Sequence, residues 1–343
     1  MEKQKTIFIV DDSETNLATA KETLKDHYRV LNLPSAARMF DLLEKISPDL
    51  ILLDIEMPEM DGFEALLRLK NNALHSNIPV IFLTSMADSS IEASGFQLGV
   101  VDFITKPFSA PVLMNRIKTH LDIDGIIRER TAKLQRLQNS MVFVIADMVE
   151  NRDNVTGGHI ERTTKYIKIL IENMVKKGIY ADELSKMEID SLISSARLHD
   201  VGKISISDTI LNKPGKLTDE EFEIMKSHSL DGERIIDSAI QRTGDAEFLS
   251  KSKMFAAFHH ERWNGRGYPY GLSEREIPLQ GRIMAVIDVY DALVSERPYK
   301  KAFSHAVACE IIEEESGKHF DPLIIKAFVV AKDKISEALA PCV

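Results

Sequence analysis

Five short runs of β-branched and apolar residues divide residues 6–120 into a regular alternation. They are TIFIV, YRVLNL, LILL, PVIFL and VDFI, and each is separated from the next by a segment of helix length. Apolar runs of this length are typical of strands that are buried on both faces of a sheet. The pattern therefore predicts a doubly wound α/β domain with a five-stranded parallel sheet.

The segment from Pro111 to about Glu150 contains one glycine, Gly125, and no further proline, which favours one long helix or two abutting helices. Apolar residues recur there at steps of three and four: Leu134, Leu137, Met141, Val144 and Met148. This row suits a helix that packs on its own domain. The sharper interpretation is a parallel helix pair across a homodimer, which could transmit a twist or shift from the first domain to the second.

From about Met141 the pattern is mostly helical, and glycine and proline concentrate in loops such as NKPG and NGRGYPYG. We therefore predict two domains, an α/β domain over residues 1–122 and an all-α domain over residues 146–343. A helical linker, or a coiled coil, would join them over residues 123–145. The length of 343 residues agrees with two domains of roughly 150 residues each.

Composition narrows the functional classes. Lys and Arg number 43 against 53 Asp and Glu, and this net charge of −10 argues against non-specific coating of nucleic acid. The two cysteines, Cys309 and Cys342, form neither a disulfide framework nor a cysteine metal site. No apolar stretch approaches the roughly 18 residues of a membrane span, so we expect a cytoplasmic protein without a signal peptide.

Polar residues follow the predicted strands: Asp11 and Asp12 the first, Asp54 the third, Thr84 the fourth and Lys106 the fifth. In an open parallel sheet, ligands bind at the carboxyl ends of the strands. Any one of these residues could instead cap a helix or open a turn. Their convergence on one edge favours a site, because clustered carboxylates suit Mg²⁺ and one of them could accept a phosphoryl group.

These residues, with Pro107 after Lys106, resemble the receiver domain of two-component response regulators. The resemblance implies that a cognate sensor histidine kinase provides the phosphoryl group for Asp54. It also implies that Asp12 and Asp54 hold Mg²⁺, with Asp11 assisting. Thr84 and Lys106 would contact the phosphoryl group, whose added negative charge needs such partners to become a signal.

Five histidines of the second domain stand in contexts that favour metal binding: His159, His199, His228, His259 and His260. His199 precedes Asp200, and both His199 and the adjacent His259–His260 pair follow apolar helical runs. Polar groups buried at such helix ends need partners, and a shared metal would supply them. With Asp288 added, the set has too many ligands for one tetrahedral ion and suits two six-coordinate ions bridged by Asp200.

Two neighbouring metals can hold a hydroxide nucleophile and stabilise both oxygens of a phosphodiester displacement. The sequence therefore predicts phosphoester hydrolysis. Because no cysteine is available to the site, iron or manganese is favoured over a structural zinc.

Four motifs in this order, DNVTGGH, HDVGK, HHERWNGRGYP and DVYDAL, resemble the HD-GYP phosphodiesterases over about residues 141–335. The resemblance implies that the five histidines, Asp200 and Asp288 are the metal ligands. It gives Lys203 a role in stabilising the nucleophile or a phosphate oxygen. Arg297 and Lys300 would hold the substrate phosphates, unless they belong to a solvated loop, and Tyr268 would face a base or a partner protein.

Two positions depart from the family pattern. Some members hold a third metal through a glutamate four residues before the first histidine, where this chain has Val155, so we expect two metals. Asn264 stands where an aspartate is more common, which removes a charge near the loop but no predicted ligand.

The family's substrate is cyclic di-GMP, which is opened to pGpG and in some members cut further to GMP. One alternative is a phosphodiesterase for 3′,3′-cyclic GMP-AMP or another nucleotide. A second is a weakly active cyclic di-GMP sensor that binds a partner such as a diguanylate cyclase through the Gly267–Pro269 loop. A DNA-binding regulator is disfavoured, because the acidic chain offers no short terminal helix-turn-helix.

Overall fold

The computed structural model of the chain describes residues 4–72, 74–85, 89–153, 158–244, 246–296 and 301–338. The chain divides into two compact units, Met1–Leu134 and Gln135–Val343.

The first unit contains the predicted five-stranded sheet. Its strands are β1 (Thr6–Val10), β2 (Arg29–Leu33), β3 (Leu50–Asp54), β4 (Val80–Thr84) and β5 (Asp102–Thr105). All neighbours are parallel, in the order β2-β1-β3-β4-β5, so the predicted α/β fold is confirmed. The order of the strands reverses beside β1, and this places a crevice at the carboxyl ends of β1 and β3.

Helices cover both faces of this sheet: α1 (Glu14–Leu24), α2 (Ala36–Leu43), α3 (Gly62–Lys70), α4 (Ser89–Gln97) and the first turns of α5 (Ala110–Glu150). The strands feed two cores in alternation, because successive side chains point to opposite faces. Phe8 and Phe82 belong to the core under α2 and α3, whereas Ile7 and Ile81 belong to the core under α1 and α5. Packing on both faces fixes the ends of the strands, and with them the positions of the polar residues that follow the strands.

The connector is a single helix, α5, which runs through Gly125 without a break. Within the second unit its buried face consists of Val142, Ala146 and Val149. A different face carries the predicted apolar row at heptad positions a and d, with 51–66% of each residue exposed: Leu134, Leu137, Met141, Val144 and Met148. The helix therefore packs on the second unit through one set of residues and leaves the predicted apolar row uncovered by the described chain.

The second unit is predominantly helical, as predicted. Its helices after α5 are α6 (His159–Lys177), α7 (Ala181–Leu184), α8 (Ile189–Ser195), α9 (Asp208–Leu211), α10 (Asp219–Lys226), α11 (His228–Thr243), α12 (Glu247–Phe258), α13 (Leu279–Val294), α14 (His305–Glu314) and α15 (Pro322–Glu337). Short 3₁₀ segments cover Ala196–Leu198, Val201–Ser205 and Glu274–Glu276. Among the described helices, none has both the length and the apolar composition that crossing a bilayer requires.

Helix α13 runs through the centre of this unit and is buried along most of its length. Tyr166 of α6, Tyr290 of α13 and Phe328 of α15 are fully buried in the surrounding core. Arg282 of α13 pairs with Asp321 at 2.9 Å, and both side chains are buried. This packing fixes the helix that carries Asp288 against the helix that begins with His159.

Candidate functional site

The carboxyl edge of the sheet in the first unit brings three carboxylates together. Oxygens of Asp11, Asp12 and Asp54 lie within 4.8 Å of one another. Lys106 follows β5, and its Nζ lies 2.7 Å from Asp11 Oδ2 and 2.8 Å from Asp54 Oδ1. Thr84, the last residue of β4, is buried at the same edge. All five predicted residues thus lie at the strand ends that the sequence indicated.

The carboxylates at this edge outnumber the ammonium group of Lys106, so negative charge is in excess. Burial raises the pKa of Asp54, and Asp11 adds to the effect, while the hydrogen bond from Lys106 opposes it. Burial also disfavours the charged form of Lys106, but its bonds to the two carboxylates outweigh this and raise its pKa. One ammonium beside three carboxylates leaves room for a hard divalent cation.

Asn16 is a member of this edge that the sequence motif did not reveal. Its side-chain amide donates to both oxygens of Asp11 at 3.1 Å, and the Ser13 amide donates to Asp11 Oδ1 at 2.9 Å. Asp11 is therefore held in one orientation by groups of its own loop and the first turn of α1.

In the second unit, the predicted metal ligands lie at helix ends that converge. His159 and His228 are the first residues of α6 and α11, and His259 follows the last residue of α12. His199 and Asp200 form the turn between two 3₁₀ segments. Asp288 lies within α13, so five separate stretches of chain meet at this site, which a local pattern cannot show.

One group of ligand atoms contains His159, His199 and Asp200. The Nε2 atoms of His159 and His199 are 3.4 Å apart, and His199 Nε2 lies 3.4 Å from Asp200 Oδ2. Asp288 Oδ1 lies 3.6 Å from His159 Nε2. These nitrogen and oxygen atoms all face the same space.

A second group contains His228, His259 and His260. The Nε2 atoms of His228 and His259 are 3.3 Å apart. Asp200 Oδ1 lies 3.5 Å from the first and 3.7 Å from the second. Asp200 therefore directs one carboxylate oxygen to each group, the arrangement that a bridging ligand requires.

The protonation of the rings is set by hydrogen bonds on their far side. The Nδ1 atoms donate to main-chain carbonyls of the preceding turn at 2.9 Å in His199, 2.7 Å in His228 and 3.0 Å in His259. His159 Nδ1 donates instead to Asp291 Oδ2 at 2.8 Å. A carbonyl only accepts, so Nδ1 carries a proton in the first three rings, and Nε2 is the nitrogen that faces the ligand groups.

Burial lowers the pKa of His228, and it lowers the pKa of His259 to about 3 and that of His260 well below its usual range. Burial disfavours the ionised form of Asp200, but the charges of Lys203 and His199 outweigh it and hold its pKa well below the usual value. Burial disfavours the charged form of His199, but the charge of Asp200 outweighs it and raises the pKa of that ring. Imidazoles around an ionised carboxylate, with no thiolate among the described residues, are a donor set that fits two divalent ions.

Two aspartates that the sequence analysis left unassigned support this set. Asp291 follows Asp288 by three residues on α13, and its side chain is buried. Its carboxylate binds Arg162 Nε at 2.7 Å and also His159. Asp153 lies 2.9 Å from Lys203 Nζ, which also lies 2.9 Å from Asp200. Asp291 stands in the DVYDAL motif and Asp153 in the DNVTGGH motif. The sequence analysis took only metal ligands from these motifs and therefore missed both residues.

The loop that contains Tyr268 is shaped by a buried carboxylate. Glu261 is 2% exposed and accepts the main-chain amides of Tyr270 at 2.7 Å and of Gly271 and Leu272 at 3.1 Å each. The Tyr268 ring stacks on His260 with ring centroids 4.7 Å apart. The loop thus holds an aromatic face beside the second ligand group.

A cavity of about 670 Å³ opens over both groups. Among the described residues, three cations line it, Arg197, Lys203 and Lys213, and Tyr268 lies in its wall. Apolar side chains complete it, among them Val149 from the last turn of α5 and Met225. A cationic, partly apolar cavity beside a metal donor set suits an anionic ligand with an aromatic part. The remaining predicted residues, Arg297, Lys300 and Val155, fall outside the described residues.

Two family models match the chain. The HD domain matches residues 144–324, and the response regulator receiver domain matches residues 7–118. The HD domain match contains both ligand groups of the second unit. The receiver domain match contains the carboxylate edge of the sheet.

Curated relatives span most of the chain. It is 41% identical to the "Probable cyclic di-GMP phosphodiesterase" of Vibrio cholerae, over 95% of this chain and 78% of the relative. It is 33% identical to the "Cyclic di-GMP phosphodiesterase response regulator RpfG" of Xanthomonas campestris, over 96% and 89%. The "3'3'-cGAMP-specific phosphodiesterase 2" of Vibrio cholerae is 36% identical, but over only 56% of this chain and 34% of that relative.

Proposed function

Because the chain belongs to the HD domain family and carries a response regulator receiver domain ahead of that domain, we propose that it is a response regulator that hydrolyses cyclic di-GMP. The observation that carries the proposal is Asp200, whose two oxygens face two separate groups of histidines. The relatives that span both domains are named for the same activity.

The residues present fit two divalent ions, and we assign one to each group. His159, His199 and Asp288 would hold the first ion and His228, His259 and His260 the second, with Asp200 shared. When bound, such a pair supplies an activated hydroxide and neutralises charge on the phosphodiester. Because the donor set is nitrogen and oxygen without thiolate, iron or manganese is the proposed metal.

Lys203 adds a fixed positive charge next to the shared carboxylate. Burial disfavours its charged form, but Asp200 and Asp153 outweigh burial and raise its pKa, so it stays an ammonium. It can therefore donate to a phosphate oxygen or to the attacking oxygen, while Asp153 holds it in place.

Arg197 offers a second contact for a phosphate. It lies directly before Leu198 and His199 and lines the cavity. Its bonds are long, 3.5 Å to Thr164 Oγ1 and 3.4 Å to the Asn139 carbonyl, and no carboxylate of the described chain pairs with it within 4.0 Å. Its guanidinium thus keeps donors for an anionic ligand. Arg297 and Lys300 remain proposed phosphate contacts, and Tyr268 a proposed contact for a guanine base.

Turnover of cyclic di-GMP tests the proposal directly. Protein reconstituted anaerobically with Fe²⁺ or Mn²⁺ is expected to convert the substrate to pGpG, with GMP as a further product if the linear dinucleotide rebinds. Products are resolved by chromatography, and the same protein without metal is the control. Tight binding of cyclic di-GMP without turnover, by protein that holds two ions, would contradict the enzyme and favour a sensor.

Substrate preference needs a parallel assay. One relative of the HD domain region is named for 3',3'-cyclic GMP-AMP, so the competing substrate is chemically close. We expect a higher kcat/KM for cyclic di-GMP, and the reverse order would move the chain to the other substrate.

We further propose that Asp54 accepts a phosphoryl group from a sensor histidine kinase, with Mg²⁺ held by Asp11, Asp12 and Asp54. Asp54→Asn is expected to abolish labelling by acetyl phosphate, because the amide lacks the nucleophilic oxygen. Phosphate-affinity gels measure the modified fraction. Asp61→Asn is the matched control, since asparagine caps α3 as well as aspartate does and the variant should label like the wild type. Labelling that persists in Asp54→Asn would contradict the assignment.

The exposed apolar row on α5 supports a homodimer through a parallel helix pair. Its members repeat every seven residues along one face, as each strand of a two-helix coil does. Met141→Asp is expected to weaken dimerisation by about 100-fold or more, because it places two like charges in the seam. Sedimentation velocity measures this, with Gln135→Asp as a control that adds the same charge outside the seam. An equally weakened Gln135→Asp dimer would contradict the seam.

The Gly267–Pro269 loop is the proposed contact for a diguanylate cyclase. Tyr270, directly after it, is 49% exposed and offers an aromatic anchor of the kind that interfaces favour.

A further inference from the structure

The end of helix α5 is bonded to the first turn of α6. Glu150 is the last residue of α5, and its Oε1 accepts the main-chain amide of His159 at 2.8 Å. Its Oε2 accepts the amide of Ile160 at 3.2 Å. One carboxylate of the connector helix therefore binds the main chain of a predicted metal ligand and of the residue after it.

The local sequence explains why a remote residue does this. Helix α6 begins after Gly158, which has a φ of 90° and no side chain to cap the helix. The first amides of a helix have no partner within it and carry its positive end. Glu161 of the first turn is paired with Lys165 at 2.9 Å. Glu150 thus supplies the acceptor that the start of α6 lacks, and it adds a negative charge at the positive end of the helix.

The His159 ring is consequently held from two directions. Asp291 fixes the ring through Nδ1, and Glu150 fixes the main chain from which the ring projects. Since Nε2 of His159 lies within 3.4 Å of His199 Nε2, a shift of the first turn of α6 would open this ligand group. Neither constraint replaces the other, because one acts on the ring and the other on the main chain.

Arg152, two residues after the last residue of α5, anchors the same end of this helix. It donates to the Ile204 carbonyl at 2.8 Å and binds Asp208 at 2.8 Å. Ile204 belongs to the 3₁₀ segment Val201–Ser205, which also carries Lys203. The position of Glu150 is therefore set by the 3₁₀ segment that carries Lys203 as well as by α6.

We propose that Glu150 is a positioning residue that sets the affinity for the ion held by the His159 group. Glu150 lines the cavity, but both of its carboxylate oxygens bind main-chain amides of α6, so it acts through the main chain of His159. This inference rests on one part of the proposed function, namely that the two ligand groups are metal sites. It ties the end of the connector helix to the occupancy of one of these sites.

Metal titration of the full chain tests this. Mn²⁺ binding is measured by equilibrium dialysis, with bound metal counted per chain and without any substrate. Glu150→Ala is expected to weaken one of the two sites by about 10-fold and leave the other unchanged, the scale typical of residues that orient metal ligands. Glu150→Gln keeps one acceptor oxygen and is expected to lie between Ala and wild type. Glu129→Ala removes an exposed glutamate of the same helix and should leave both sites unchanged.

A folded Glu150→Ala with two sites of wild-type affinity would overturn the proposal. If circular dichroism shows that Glu150→Ala is unfolded, Glu150→Gln decides instead: wild-type affinity at both of its sites would overturn the proposal, and one weakened site would support it. Failure of the proposed function gives a different result. Wild-type protein would then bind two ions without hydrolysing cyclic di-GMP, while the effect of Glu150 on one site would persist.

Discussion

Replacing Asp200 with alanine is expected to lower cyclic di-GMP turnover by about 1,000-fold or more, equivalent to about 4 kcal/mol of transition-state stabilisation. The reason is that Asp200 faces both ligand groups, with Oδ2 3.4 Å from His199 and Oδ1 3.5 Å from His228. Its loss also leaves Lys203 beside the histidines with Asp153 as its one acidic partner among the described residues. Metal analysis should show fewer than two ions per chain, and kcat with saturating Mn²⁺ should not recover.

Asp200→Asn separates charge from shape at this position. It keeps one oxygen but neither the charge nor the second acceptor, so we expect one ion to be retained and turnover to stay low. Asp190→Ala serves as the control, since it removes an exposed aspartate at the start of α8 and should leave metal content and kcat unchanged. Two ions and wild-type kcat in Asp200→Ala would contradict the shared-ligand assignment.

Gly202→Ala is expected to lower the free energy of unfolding by about 3 kcal/mol, at the upper end of overpacking costs. A Cβ at this position would lie 1.9 Å from the His228 carbonyl oxygen and 2.4 Å from the Gly232 amide. Both are main-chain atoms of α11, so no side chain can move aside. The turn that carries Asp200 must then separate from the helix that begins with His228, and metal affinity should fall as well.

Chemical denaturation measures the first effect and metal titration the second. Gly125→Ala is the matched control: nothing lies within 4 Å of a Cβ there, and alanine in the middle of α5 should stabilise the helix by about 0.5–1 kcal/mol. A Gly202→Ala protein as stable as wild type would show that the two segments tolerate separation. It would also remove the explanation offered for the glycine of the HDVGK motif.

The sheet could be predicted from the sequence because its signals are local. Each apolar run from TIFIV to VDFI corresponds to a strand, and the helix starts at Ser13, Ser35 and Asp61 carry side chains that cap the following amides. The choice between one and two helices in the connector was not decidable from the pattern. Gly125 does not interrupt α5 because its surroundings are open and helix geometry is available to it.

The candidate sites were predictable only in part. Residues in motifs with distinctive chemistry, such as His199 and Asp200, were found from the sequence, and the structure brings them together with His159 and His228. Asn16 and Glu150 were missed because they act on neighbours through folding contacts and have no pattern of their own. The roles of the ligand residues, and of Arg297 and Lys300, stay predictions.

The buried carboxylate of Glu261 limits how this protein can recognise its substrate. Consecutive main-chain amides that converge on one point form a nest, a feature that in other proteins receives a phosphate. Here the nest formed by residues 270–272 is already occupied by an anion from the chain itself. Main-chain recognition of phosphate is thereby closed at this loop, which leaves the proposed phosphate contacts to side-chain cations such as Arg197, and a single substitution can change such a contact.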